Sequence, residues 1–201
     1  MLKKILFSCL LFLYVTNVNA SLKLPKYNTL FENISKSTLA NLTGYKGKIT
    51  QSEIKAAQKL AKAIEHLDQK RYGATLSLLN KTPRSSVLNS YISYYKALAY
   101  MGQNKAGKAL KLLPVQTVLS QKIAWDRFWL RQDALASLKM SSELSSEISA
   151  VKKKYHKDKW VKIKSEFYLG KAAYLSGDKT LAKKYLHTVL IELAGTEFDH
   201  R

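Results

Sequence analysis

Residues 167–186, FYLGKAAYLSGDKTLAKKYL, read as two amphipathic helices joined by a tight turn at Gly177-Asp178. Apolar residues recur at three and four on both sides of the turn, which is the period of a helix face packed on a neighbour. Small residues at Gly170, Ala173 and Ala182 allow the two helices to cross closely, where a larger side chain would hold them apart. A helical hairpin is therefore expected here.

Two further stretches carry the same phrase. Residues 63–79, AIEHLDQKRYGATLSLL, are closed by Asn80-Lys-Thr-Pro83, and residues 96–114, KALAYMGQNKAGKALKLLP, end on Pro114. The turns near 70, 102 and 177 lie 32 and 75 residues apart. Seventy-five is close to two repeats, so a fourth turn is expected near 139, where Ala134-Leu-Ala-Ser-Leu-Lys-Met-Ser-Ser-Glu143 reads as a helix end followed by a serine cap. Thr50-Gln-Ser-Glu53 is a capping box that opens the first strong helix. No stretch alternates as a strand does, and no Asn-Gly or Asp-Gly hairpin turn occurs.

These hairpins resemble the tetratricopeptide repeat. In the last copy Gly170, Ala173, Gly177 and Ala182 fall at the family's small positions. Glu166 stands at its tryptophan position and Ala194 at its closing proline. In the second copy Tyr95 and Gly107 replace small residues; in the first, Lys70 holds the turn-glycine position, while Tyr72 and Leu78-Leu79 keep the pattern. The resemblance covers about 140 residues and implies an all-α fold, a right-handed superhelix (solenoid) of about four antiparallel hairpins over residues 51–194. Degenerate helical pairs of this kind are also similar to the superhelical domain of soluble lytic transglycosylases. Their catalytic Glu-Ser pair and Gly-Leu-Met-Gln motif are absent from this sequence.

The first twenty residues read as a signal peptide. Lys3 and Lys4 precede an apolar run from Ile5 to Val15, and Val18-Asn19-Ala20 offers a cleavage site before Ser21. Eleven apolar residues span roughly 16 Å as a helix, about half of a hydrocarbon core. A periplasmic or secreted location is expected, with residues 21–49 an extension bearing a short helix around Leu30, Phe31 and Ile34, and 195–201 a tail. Cys9 lies inside the signal, so the mature chain has no thiol for a disulfide, a nucleophile or a zinc site.

Removing Lys3 and Lys4 takes the net charge from +20 to +18. Such an excess favours an anionic partner. An envelope protein or peptide leads, peptidoglycan or another anionic polymer follows, and export disfavours nucleic acid. The four histidines show no metal-ligand spacing, and no nucleophile elbow, phosphate loop or dinucleotide turn occurs, so no catalytic residue, cofactor or metal is assigned.

Two features point to a binding surface. Tyr94 and Tyr95 diverge by about 100° on a helix, so one of them should leave the core; Tyr94 and Trp129 are the candidate partner-binding aromatics, most others being assigned to hairpin packing. Lys152, Lys153, Lys154, Lys157 and Lys159, continued by Lys162 and Lys164, form a basic knob where the third hairpin joins the fourth, and Lys105, Lys108 and Lys111 follow at threes. Beyond them, the last helix carries more apolar surface than one face, which predicts a docked partner, self-association or a further segment of chain.

Overall fold

Thr50 begins the first helix as its spacing requires. Its hydroxyl accepts the Glu53 N–H at 3.3 Å, and the Glu53 carboxylate accepts the Thr50 N–H at 2.8 Å. The helix so opened, α1 (Gln51–Asp68), buries Ile54, Ala57, Leu60, Ala61, Ile64 and Leu67, a stripe at three- and four-residue steps. The computed structural model describes residues 35, 39–40, 48–83, 85, 87–115, 119 and 122–194. The signal peptide, the helix expected around Leu30–Ile34 and the tail lie outside the described residues.

Among the described residues every regular element is a helix, and eight follow in order. After α1 come α2 (Tyr72–Asn80), α3 (Asn89–Gly102), α4 (Ala106–Lys111), α5 (Lys122–Ser137), α6 (Ser141–Lys154), α7 (Lys159–Leu175) and α8 (Lys179–Ala194). They divide into two compact units, one ending at Leu88 and the other beginning at Asn89.

In the first unit α2 folds back on α1. The buried Thr75 hydroxyl reaches the Ala63 carbonyl at 3.3 Å and the Arg71 carbonyl at 3.1 Å, tying the pair across the turn, and Leu76 and Leu79 of α2 are buried with it. In the second unit α3 packs on α4 and α5, α4 on α5, α5 on α6 and α7, α6 on α7, and α7 on α8. Its core gathers Phe128, Leu135, Leu144, Ile148, Val161 and Tyr168 with smaller residues.

Four turns share one geometry. Three residues separate α1 from α2, α3 from α4, α5 from α6 and α7 from α8, and the middle one is left-handed each time: Lys70 (φ 58°), Asn104 (φ 59°), Lys139 (φ 57°) and Gly177 (φ 90°). In each turn the left-handed residue's N–H reaches the carbonyl three residues back, and the next N–H reaches five back, as in Lys70 to Leu67 and Arg71 to His66. The equivalent pairs are Asn104 to Met101 and Lys105 to Tyr100, Lys139 to Ala136 and Met140 to Leu135, and Gly177 to Tyr174 and Asp178 to Ala173. This is the Schellman closure, which satisfies carbonyls that the end of a helix would otherwise leave bare.

The turn expected near 102 is centred two residues later, because Gly102 remains helical and Asn104 takes the left-handed position. With that shift the four turns are spaced by 34, 35 and 38 residues. The expected serine cap at 141 is corrected: Met140 is the N-cap, without a side-chain bond, and Ser141 is the first residue of α6. Small residues at the α7–α8 crossing do have a steric cause. A Cβ on Gly170 would lie 3.1 Å from Leu186 Cγ and 3.2 Å from Tyr185 Cβ.

Candidate functional site

The expected aromatic site does not survive at Tyr94. Both Tyr94 (4 % exposed) and Tyr95 (0 %) are buried, with their rings edge to face at 5.2 Å. The 100° divergence brings neither to solvent because α3 has neighbours on more than one side, α4 and α5 among them. Its buried positions (Tyr91, Ile92, Tyr94, Tyr95, Ala97, Ala99) accordingly wrap much of its circumference.

Trp129 is half-buried in an aromatic stack between α5 and α7. Its ring lies against Trp125 at 6.0 Å and 18° and against Tyr168 at 5.5 Å and 13°. Lys164 Nζ stands 5.2 Å from its centroid, and the Tyr168 hydroxyl donates to Asp133 Oδ1 at 2.9 Å. With Asp126 and Asp133 one helix face of α5 therefore sits opposite Lys164, Tyr168 and Lys171 on α7. Burial raises the Asp133 carboxyl above its usual value of 3.8, opposed in part by Lys171, the Tyr168 hydrogen bond and Lys164. Burial also raises Asp126, opposed by Lys122 and Lys164, and drives the Tyr168 hydroxyl well upward, with the Asp133 charge and hydrogen bond adding to the effect. Trp129 is a supporting residue of this face, its ring packed against Trp125, Tyr168 and Lys164.

The basic knob divides into ion-paired and exposed lysines. Lys152 is ion-paired with the buried Glu166 at 2.6 Å, which gives that carboxylate, at the position where the repeat family has tryptophan, a structural partner. Lys153 and Lys154 end α6, where cations favour the helix dipole, and Lys154 stands over the Tyr155 ring at 5.5 Å. Lys157 lies in the turn and Lys159 opens α7; Lys153, Lys154, Lys157 and Lys159 are all exposed. Lys162 pairs with Glu192 of α8 at 2.6 Å. Elsewhere, Lys105, Lys108 and Lys111 line a shallow cleft of about 570 Å³ with Met101, Ser137 and Leu138.

What the residues did not announce is the outer face of α7. Trp160 and Tyr174 are each 58 % exposed, Lys164 is exposed, and Phe167 and Lys171 are half-buried. They fall at steps of four, three, four and three, which keeps them within about 80° of one another on the helix. Asp158 holds the start of this helix by accepting the Val161 N–H at 3.0 Å. The step pattern was a readable signal, but aromatics at that spacing are also what a buried hairpin face requires.

Among the described residues no three His, Cys, Asp or Glu side chains gather as a metal-ligand group, and no helix is long and apolar enough to cross a membrane. The geometry defines an all-helical chain of hairpins with an aromatic and cationic face on its second unit. No family model, curated protein or solved structure matches the chain.

Proposed function

We propose that this chain is an exported helical-repeat scaffold that binds a protein or peptide partner on the outer face of α7. The observation that carries this reading is the pair of open aromatics, Trp160 and Tyr174, set on one helix face with Lys164 and Lys171 between them. Exposed large aromatics flanked by charge are typical of the residues that dominate protein interfaces. The finer architecture proposed for the second unit is a right-handed superhelix of tetratricopeptide-like hairpins, supported by turns of matching geometry at 104, 139 and 177. Export is supported by the pattern of residues 1–20.

The test uses the chain beginning at Ser21, immobilised and exposed to envelope extract at low salt. A protein is expected to be retained by the wild type and lost with Trp160→Ala. Retention of nothing, or equal retention by the variant, sinks the reading. Separately, N-terminal sequencing of the exported product should begin at Ser21; an intact Met1 would end the export claim.

A second reading is favoured by the exposed Lys153, Lys157 and Lys159 beside Trp160. In that case the chain is a cell-wall-associated module, similar to a transglycosylase superhelix, holding an anionic glycan. Co-sedimentation with purified peptidoglycan at low salt, abolished at raised salt, is its expected signature.

A further inference from the structure

The spacing of the α7 face says more than that it is sticky. Trp160, Lys164, Phe167, Lys171 and Tyr174 advance by alternating four and three residues, the average 3.5-residue step of a coiled-coil seam. In heptad terms the aromatics occupy one seam position three times and the lysines occupy the other twice. The seam runs 14 residues, about 21 Å along the helix.

Its two sides are taken. α5 lies along one side through the Trp129–Tyr168 stack, and α8 along the other through the Gly170–Leu186 approach. The seam between them leaves Trp160 and Tyr174 more than half exposed at its two ends, with Phe167 half-buried at its middle. Aromatics at every seventh residue fill one of the two positions that a coiled-coil seam presents to a second helix.

The period also selects the shape of the occupant. An extended strand shows one face every second residue, about 6.6 Å, and cannot match anchors repeating at about 10.5 Å without turning alternate side chains away. A helix packed at a shallow angle repeats its own seam every seven residues, at the same 10.5 Å.

Charge selects its composition. The seam carries Lys164, exposed although it stands over the Trp129 ring, and Lys171, 3.9 Å from Asp133 of α5, and the exposed Lys157 and Lys159 stand beside its first turn, so the face keeps a positive excess. A second copy in parallel register would set each seam lysine against its twin, a like-charge contact that disfavours pairing. Carboxylates opposite the lysines, and aliphatic side chains opposite the aromatics, complement both elements.

We propose that the occupant of the α7 seam is an acidic amphipathic helix of a partner protein, with aliphatic and carboxylate side chains alternating at three- and four-residue steps. This rests on the partner-binding reading above and specifies its ligand. The seam residues act as anchors, and the basic turn at Lys157 and Lys159 meets the acidic flank at one end of the bound helix.

The experiment titrates the full chain beginning at Ser21 with a synthetic peptide of about four heptads, long enough for helicity to be stabilised on docking. Leu and Glu alternate along one face of this peptide, and a control has the same composition in scrambled order. The patterned peptide is expected to gain helical circular dichroism on binding, change the tryptophan fluorescence, and bind at least roughly tenfold more tightly than the scrambled one. The double variant Trp160→Ala/Tyr174→Ala, both at exposed positions, should weaken binding by roughly tenfold or more. Lys164→Glu should weaken it similarly and be rescued by a peptide with Lys in place of the facing Glu.

Equal binding of patterned and scrambled peptides overturns the proposal, as does unchanged binding by the double variant. A chain that dimerises through the same residues overturns it in favour of a second copy. If the peptide is not bound but envelope protein is still retained through Trp160, the helical occupant is wrong and the partner-binding reading stands. If neither binds, both fall.

Discussion

Lys139 and Lys70 are left-handed at φ 57° and 58°, a conformation that crowds Cβ against the following carbonyl. Only Gly177, of the four turn residues, avoids that cost, and Asn104 tolerates it better than lysine does. Lys139→Gly is therefore expected to stabilise the second unit by about 1 kcal/mol, read as a raised denaturation midpoint at unchanged m-value. Asn104→Gly should gain less. Asp133 supplies a second residue-level expectation. Its carboxyl is raised above 3.8 by burial, so between its unfolded and folded values the folded chain holds a proton that the unfolded chain has released. Stability contributed by this group thus falls as pH rises through that window, and the penalty is complete above the folded value. Asp133→Asn keeps an acceptor for the Tyr168 hydroxyl and loses the buried charge. The difference between wild type and variant should vary with pH just above 3.8 and flatten at higher pH; a difference constant across the window would refute the assignment.

At the scale of elements, the hairpin was legible because turn chemistry and apolar period agreed. Residues 167–186 carry both signals, with Gly177 at the turn and Gly170 at the crossing. The turn near 139 was legible only by spacing, since a lysine occupies the position that glycine would normally mark. Tyr94 was misplaced because periodicity reports one packed face and cannot report a helix enclosed from several sides. The α7 seam was hidden for the converse reason: the same four-three pattern describes an occupied face and an open one, and only the folded neighbours distinguish them. Close approach of α7 and α8 yields a direct test. Gly170→Leu adds a branched side chain where Leu186 Cγ and Tyr185 Cβ already stand within 3.2 Å of a Cβ, and it should destabilise by about 1–3 kcal/mol. Gly107→Leu, whose Cβ would meet nothing within 4 Å, is the control and should cost little.

Across the whole molecule, net charge and its clustering at residues 152–164 were legible, and which of those lysines the fold's own acids take up was not. In the second unit the acids are mostly committed to the fold: Glu147 to Arg131 at 2.7 Å, Glu166 to Lys152, Glu192 to Lys162, and Asp158 and Asp178 to helix starts. Lys153, Lys157, Lys159 and Lys164 are left facing solvent, so a composition-level excess becomes a cationic surface. The last helix matches the expectation of surplus apolar area. α8 buries only Ala182 and Val189, while Leu190 and Ile191 are more than half exposed.

The four Schellman turns bear on how the chain meets a protease. With 34 lysines and arginines in 201 residues, trypsin has a potential cut about every six residues. Cleavage requires a stretch of backbone to open and extend in the enzyme's cleft, so the order of cutting reports which segments let go most easily. Lys70 and Lys139 sit at the tips of turns, yet their own N–H and the next are both bonded back into the preceding helix. Lys157, in the link that follows α6, is exposed, and the N–H after it reaches back only to Tyr155, within the same link. Limited digestion should therefore nick at Lys157 before Lys70 and Lys139, releasing fragments whose ends fall between hairpins. A map with the opposite order would mean that the tips, and not the links, are where the chain first comes apart.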